Sequence, residues 1–349
     1  MLRREQFGKM PDGREVSRYF LTNASGMEVA VTNYAAAITS LKVPDRQGKF
    51  ADVVLGFDSL DGYLNDKVFM GAVVGRYANR IANARFVLDG NEYRLSANNG
   101  ANTLHGGANG FFKKLWELKA SRGNSVSLSY TSPDGEEGFP GNLVAEVTYT
   151  LTDANELKLV YRASTDKPTV VCLTGHAYFN LAGEGNPSVL DHELKIDADA
   201  YVPTDSSSIP TGEIAPVKGT PFDFTRPTTI GDQIESDHVQ MKHGQGYDVC
   251  WVLRKEHVDE LTRAAFVREP NSGRGLEIWT TEPGIQFYSG NFLNGSFEGK
   301  SGHRYPRRSG LCLETQHYPD SPNQVHFPST VLRPGEEYRS TTIYKFSAT

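Results

Sequence analysis

Short strand-like segments separated by turn residues recur along almost the whole chain, and this spacing constrains the fold more than any other feature. FVLDGNEYRL (86–95) places an Asp-Gly pair between two apolar runs, which is a strong hairpin signal. Two further hairpins with longer turns are predicted in VTYTLTDANELKLVYRA (147–163) and ITSLKVPDRQGKFADVVLGF (38–57). STVLRPGEEYRSTTIYKF (329–346) predicts one more hairpin, with Pro-Gly in its turn.

Helical periodicity is rare. Only SLDGYLND (59–66) and HVDELTRAAF (257–266) are predicted as short helices, and DHVQMKH (237–243) is predicted as a loop. Regular strand–turn–strand spacing without alternating helices predicts an all-β fold, a mainly antiparallel sandwich or barrel. No internal repeat and no break in composition divides the chain, so residues 1–349 are expected to form a single domain.

Charge and cysteine usage narrow the class of protein. The formal net charge is −6, without basic runs, which argues against a nucleic-acid partner. No apolar stretch reaches 18 residues, so no membrane span is expected. The charged N-terminal segment lacks the apolar region of a secretory signal, and the three distant cysteines suit buried thiols in a reducing compartment. A cytoplasmic protein is therefore expected.

The sequence lacks the common motifs for nucleotide binding, metal binding and nucleophilic catalysis. It contains no Walker A loop and no G-x-G-x-x-G after a strand, and no G-x-S-x-G marks a nucleophile. The nine histidines are scattered, without H-x-x-x-H or C-x-x-C spacing, so no metal is expected. Histidine, carboxylate, arginine and amide side chains remain, and these suit proton transfer on a polar neutral substrate.

Five segments place such polar residues beside glycines and aromatics in apolar surroundings: GRYANRIA (75–82), NTLHGGANGFFKKLW (102–116), VCLTGHAYFNLAG (171–183), GYDVCWVL (246–253) and LCLETQHYPDSPN (311–323). Each has an ordinary structural explanation. His105 suits a turn, His176 a hydrogen-bonded core histidine, and Asp248 a strand-entry cap. Arg80 suits an exposed pair, and Glu314 suits the solvated face of a strand, shared by alternation with Cys312 and Gln316.

Six motifs in order, spanning about residues 70 to 323, resemble the aldose 1-epimerase (galactose mutarotase) family: NRI (79–81), NTLHGG (102–107), GHAYFNL (175–181), GYD (246–248), PGIQFYSGNF (283–292) and LETQHYPDSPN (313–323). The resemblance implies a large antiparallel β-sandwich with few short helices. It also implies interconversion of the α and β anomers of free hexoses such as D-galactose and D-glucose, without a cofactor. The implied partner is a small aldose, and a monomer or weak homodimer is expected.

The resemblance also assigns roles to residues. Glu314 matches the general base, His176 the general acid, and His105 a second histidine near the ring oxygen. The residues that match hydroxyl-binding positions are Asn79, Arg80, Asp248 and Gln286, and Tyr178 is expected to contact the sugar. Relatives commonly have Asn-His-Ser or Asn-His-Thr around the acid, whereas this chain has Gly175-His176-Ala177. A side-chain hydrogen bond that would orient the ring is therefore expected to be missing.

Opening a cyclic hemiacetal requires a proton to leave the anomeric hydroxyl and another to reach the ring oxygen. A carboxylate ionised at neutral pH suits the first transfer, and an imidazolium near its pKa suits the second. Apolar C–H faces of sugars commonly rest on aromatic rings. The candidates are Tyr178, Phe179, Phe287 and Tyr288, about half of which are expected to pack only in the core.

Two other functions are also compatible with the sequence. A hexose-6-phosphate 1-epimerase would need cations converging on the phosphate, and HRYPRRSG (303–310) offers Arg304, Arg307 and Arg308. A non-catalytic carbohydrate-binding sandwich would keep the aromatic and hydroxyl-binding residues but would have no use for both Glu314 and His176.

Overall fold

The structure is a computed structural model that describes residues 2–349. Most of its regular secondary structure consists of β-strands. Segments rich in β-branched and aromatic residues form them, and glycine and proline separate one from the next. The strands are β1 Arg3–Lys9, β2 Glu15–Thr22, β3 Glu28–Thr32, β4 Ile38–Pro44, β5 Phe50–Asp52, β6 Val73–Val74, β7 Arg80–Ile81, β8 Arg85–Leu88, β9 Asn91–Arg94, β10 Thr103–Leu104, β11 Glu117–Arg122, β12 Ser125–Ser132, β13 Leu143–Leu151, β14 Glu156–Thr165, β15 Thr169–Val170, β16 Thr174–Gly175, β17 Glu193–Ile196, β18 Ala198–Val202, β19 Ala215–Pro216, β20 Thr228–Thr229, β21 Asp248–Leu253, β22 Thr262–Arg268, β23 Arg274–Thr280, β24 Gly284–Tyr288, β25 Cys312–Gln316, β26 Val331–Leu332 and β27 Tyr338–Ala348. The α-helices of this part of the chain are α1 Leu60–Leu64 and α2 Val239–Gly244.

Three antiparallel sheets make up the body of the fold. The largest has nine strands in the order β11-β12-β13-β14-β27-β23-β22-β17-β20, and two five-stranded sheets have the orders β1-β2-β3-β4-β5 and β19-β18-β21-β24-β25. One apolar cluster is shared by all three, with Val31 from β3, Leu159 from β14 and Phe287 from β24 among its members. The predicted all-β antiparallel sandwich with few short helices is confirmed.

Local turn chemistry predicted three of the four hairpins correctly. β8 and β9 pair around the Asp-Gly turn, whose two residues both have positive φ, and β13–β14 and β4–β5 pair as expected. The predicted hairpin at 329–346 is wrong. Its strands β26 and β27 both form, but β26 pairs with β15, and β27 pairs with β14 and β23. Distant partners decide the pairing there.

Helix predictions were less successful. Residues 59–66 contain α1 as predicted, but 257–266 do not form a helix, because Thr262–Arg268 is the strand β22 between β17 and β23. The segment 237–243, predicted as a loop, contains most of α2, capped at its start by the His238 side chain. Among residues 2–349, no helix has the length and apolar character needed to cross a bilayer.

The register of β21, β24 and β25 gives one face of the small sheet a polar character. Glu314 lies opposite Gln286, and Tyr288 lies opposite both Asp248 and Cys312. Because directly paired residues share a face, all five side chains point to the same side of the sheet. The alternate residues of these strands enter the apolar core. The polar face therefore forms one wall of a site.

Candidate active site

A cavity of about 320 Å³ lies against this polar face. Short paired segments supply the opposite wall. β6 pairs with β16, which leads into His176, and β7 pairs with β10, which leads into His105. Seven of the eight candidate residues line the cavity: Asn79, Arg80, His105, His176, Tyr178, Asp248 and Glu314. The eighth, Gln286, does not line it, and its Nε2 donates a hydrogen bond of 2.7 Å to Asp248 Oδ1.

Two titratable side chains meet inside the cavity. His176 Nε2 lies 3.7 Å from Glu314 Oε1, and the two residues are 4% and 3% exposed. Burial raises the pKa of Glu314 to about 8, with the charge of Asp248 adding to the shift and that of Arg80 opposing it. Burial also lowers the pKa of His176 to about 4. This environment favours a protonated Glu314 facing a neutral His176, the reverse of the ionised pair expected from the sequence.

His105 is fixed as a neutral hydrogen-bond donor. The backbone N–H of Asn79 donates to His105 Nδ1 at 3.1 Å, so the ring proton lies on Nε2. Burial, together with His176 and Arg80, holds the pKa of His105 well below its usual range. Asn79 and His105 both have left-handed backbones, with φ of 62° and 52°. The backbone N–H of His105 donates to Asn79 O at 3.0 Å, so the two strained residues hold each other in place.

Acceptors in the cavity complement this donor. Burial raises the pKa of Asp248, while Arg80 and the Gln286 amide oppose the shift. Arg80 Nε donates to Asn99 Oδ1 at 3.1 Å, which fixes the guanidinium at the rim. Among residues 2–349, Glu314 Oε2 finds no hydrogen-bond partner. A buried unpaired oxygen is costly, so it suits a hydroxyl group of a polar ligand.

Sequence reasoning missed a loop that completes the cavity. Lys67, Val68 and Phe69 line it, and the Phe69 ring packs 4.6 Å from the His105 ring and 5.6 Å from the His176 ring between centroids. Asp66 shapes this loop, because its carboxylate accepts the backbone N–H groups of Val68 and Met70. An Asp at the start of a tight loop is the only local signal, and it does not reveal where Phe69 points.

The aromatic candidates divide as expected. Tyr178 and Tyr288 line the cavity, whereas Phe179 and Phe287 lie in the apolar core. Phe292, which the sequence did not single out, also lines the cavity and is 49% exposed. The cavity therefore offers ring surfaces beside its polar groups.

Two groups of potential metal ligands occur among residues 2–349. The first comprises His105, His176 and Glu314 within the cavity, and the second comprises Cys172, Glu282 and His317 outside it. In the first, Nδ1 of His105 accepts a backbone N–H, which leaves Nε2 protonated. In the second, His317 Nδ1 and Glu282 Oε2 form a hydrogen bond of 2.6 Å. Hydrogen bonds therefore already occupy lone pairs that an ion would need in both groups.

The arginines proposed for a phosphate lie elsewhere. Arg304 donates to the carbonyl of Gly295, Arg307 to that of Gln245, and Arg308 pairs with a glutamate carboxylate. None of the three lines the cavity. This segment therefore does not supply the converging cations that the hexose-6-phosphate alternative would require.

Comparisons with known proteins agree with this geometry. The family model described as aldose 1-epimerase matches residues 17–345. Galactose mutarotase from Bos taurus is 50% identical over 344 residues, 99% of this chain and 98% of that protein. Aldose 1-epimerase from Escherichia coli (strain K12) is 41% identical over 340 residues, 97% of each chain. The crystal structure of the GalM/aldose epimerase homologue from C. elegans superposes with a TM-score of 0.87 at 34% identity, covering 95% of this chain and 99% of that one. The chain belongs to the aldose 1-epimerase family.

Proposed function

We propose that Glu314 and His176 are the base and the acid with which this isomerase interconverts the α and β anomers of free hexoses. The observation that carries the proposal is the buried contact of 3.7 Å between His176 Nε2 and Glu314 Oε1 in a cavity of sugar size. Anomer interconversion as the activity follows from the family to which the chain belongs. The roles of the individual residues are the new step.

Ring opening needs two proton transfers at adjacent atoms of the sugar. Glu314 removes the proton from the anomeric hydroxyl, and the imidazolium form of His176 delivers one to the ring oxygen, so that the bond between C1 and the ring oxygen breaks. Each such positioned group contributes about 10²–10⁴-fold to the rate. The open form leaves Glu314 protonated and His176 neutral, which is the pair of forms that burial favours. Burial therefore offsets part of the cost of forming the aldehyde.

Inversion of configuration follows from rotation about the C1–C2 bond. The aldehyde then presents its other face to the C5 hydroxyl, and the two proton transfers run backwards to give the other anomer. The pocket must hold C2 to C6 while C1 turns. Fixed donors and acceptors suit that task, namely Arg80 held by Asn99, and Asp248 held by Gln286. His105 Nε2–H is a neutral donor suited to the ring oxygen.

The alternatives fit the site less well. A non-catalytic sugar-binding sandwich has no use for a buried carboxyl group in contact with an imidazole, since burying two titratable groups costs desolvation that binding a neutral sugar does not require. A hexose-6-phosphate epimerase requires converging cations, and the three arginines proposed for that purpose lie outside the cavity lining. Free hexoses remain the best match.

Polarimetry tests the proposal directly. Freshly dissolved α-D-galactose or α-D-glucose changes its optical rotation slowly, and the protein is expected to accelerate this change for at least one of them. Glu314→Gln is the matched control, because it keeps the volume of the side chain and removes the base. An unchanged decay of rotation for both sugars with the unaltered protein contradicts the assignment of activity, whereas full activity in Glu314→Gln contradicts the role of that residue.

Three further expectations belong to this proposal. A single domain is supported by the apolar cluster that all three sheets share. A cytoplasmic location is consistent with the three buried cysteines, each of which is a free thiol. A monomer or weak homodimer without a nucleic-acid partner is the expected assembly, because the net charge is −6 and the catalytic groups come from one chain.

A further inference from the structure

The ring of the proposed acid has two nitrogens, and only one of them faces the cavity. His176 Nε2 points towards Glu314, while Nδ1 points to the wall behind it. For His176 to return as a proton acceptor when the sugar ring closes, the neutral imidazole must carry its proton on Nδ1 and leave Nε2 unprotonated. Some group behind the ring must therefore favour the Nδ1–H form.

The side chains next to His176 along the chain cannot do this. Gly175 and Ala177 have no polar side-chain atom, so neither side chain can form a hydrogen bond with the ring. Aromatic rings surround the imidazole, with centroids at 5.1 Å for Tyr178 and 5.6 Å for Phe69. Such contacts limit how the ring can tilt, but they do not distinguish one nitrogen from the other.

We propose that Cys312 is the positioning residue that holds the His176 ring in its Nδ1–H form. The sulfur lies 3.6 Å from Nδ1, within the range of an N–H···S hydrogen bond. Cys312 is fully buried on β25, two residues before Glu314, and both side chains point to the same face. One strand therefore carries the base and the partner of the acid. This role rests on the proposed function of His176 as the acid.

The chemistry of the partner matters as well as its position. A carboxylate behind an imidazole stabilises the imidazolium and makes it a weaker acid. A neutral thiol orients the ring with little added charge, and burial raises the pKa of the Cys312 thiol well above its usual range, so it stays neutral. The other titratable groups that face the His176 ring are Glu314, His105 and Tyr178. The ring oxygen of the sugar is a weak base, so its protonation requires a strong acid. Because the thiol is neutral, it orients the imidazolium of His176 without weakening it as an acid.

Cys312→Ala and Cys312→Ser test the proposal against a matched control. Cys172→Ala removes an equally buried thiol that lies beside Glu282 and His317 instead of His176. We expect Cys312→Ala to lower kcat about tenfold, with KM changed by less than about twofold, since a small displacement of a reacting group lowers the rate and leaves sugar binding intact. Cys312→Ser, which retains a hydrogen-bonding atom, should recover most of kcat. Cys172→Ala should lower the melting temperature without changing kcat.

Nitrogen-15 NMR of labelled histidine separates positioning from a general loss of stability. In the unaltered protein at pH 7, the His176 shifts should report a proton on Nδ1, and in Cys312→Ala they should move towards a mixture of the two neutral tautomers. Two results overturn the proposal: unchanged tautomer shifts in Cys312→Ala, or a kcat for Cys312→Ala equal to that of Cys172→Ala. If Glu314→Gln and His176→Asn both retain full activity, the proposed function itself fails, and that result is distinct from either of these.

Discussion

The acid–base pair predicts how kcat/KM depends on pH. Burial and the charge of Asp248 raise the pKa of Glu314 to about 8, and burial lowers that of His176 to about 4. Between these values the pair holds one proton, and because the two groups interact, either side chain can carry it in the reactive state. We therefore expect a level kcat/KM between about pH 4 and about pH 8.

The sign of the change differs at the two limits. Below about pH 4 both groups are protonated and the base is lost, so kcat/KM falls as the pH falls. Above about pH 8 both groups are deprotonated and the acid is lost, so kcat/KM falls as the pH rises. Each further pH unit reduces the singly protonated fraction about tenfold. At about pH 9, kcat/KM should thus be roughly a tenth of its plateau value.

The assay is polarimetry on α-D-glucose across this range. The spontaneous rate is subtracted at each pH, since acid and base also accelerate it, and circular dichroism checks that the fold persists. Two variants sharpen the test by moving the upper limit in opposite directions. Asp248→Asn removes a negative charge that raises the pKa of Glu314, so the limit should fall, whereas Arg80→Gln should raise it. A flat profile from about pH 5 to about pH 9, or limits that move in the same direction in both variants, contradicts this reasoning.

Three further changes have definite expected results. Glu314→Gln and His176→Asn should each lower kcat by about 10²–10⁴-fold in polarimetry while circular dichroism stays unchanged, and a loss below tenfold would remove that group from catalysis. Arg76→Met should lower the free energy of unfolding by about 3 kcal/mol or more in urea denaturation. The buried guanidinium donates to four backbone carbonyls, which the substitution would leave unpaired. A loss below about 1 kcal/mol would contradict this reasoning. Gly71→Ala should lower the melting temperature more than Gly90→Ala. Both glycines have positive φ, but only at Gly71 would the added methyl group overlap a backbone carbonyl oxygen. Equal melting temperatures for the two variants would show that the overlap relaxes.

The fold was predictable wherever local chemistry decides it. The Asp-Gly turn at 89–90 fixed the β8–β9 hairpin, and the apolar alternation of 147–163 fixed the pairing of β13 and β14. Prediction failed where distant strands compete. β26 and β27 are adjacent in sequence but join different sheets, and β22 formed because β17 and β23 flank it. No single segment contains that information.

The site was predictable in part. Sequence reasoning named seven residues that line one cavity, although they come from distant segments of the chain. It did not reveal Phe69, because the loop around it is shaped by backbone hydrogen bonds to Asp66. Proton-transfer chemistry alone suggested an ionised Glu314 and an imidazolium His176, whereas burial favours the protonated carboxyl and the neutral imidazole, because a pKa shift depends on the whole fold. Residue types can be read from sequence, but their electrostatic environment cannot.

A double-mutant cycle tests most directly whether Glu314 and His176 act as one proton-sharing pair. The values of kcat for Glu314→Gln, His176→Asn and the double variant are measured by polarimetry on α-D-galactose at high protein concentration. If the pair acts as a unit, the double variant should lose no more than about tenfold beyond the worse single variant, since either loss alone already breaks the proton exchange. A double loss equal to the product of the two single losses would contradict a shared proton, and so would full activity in either single variant.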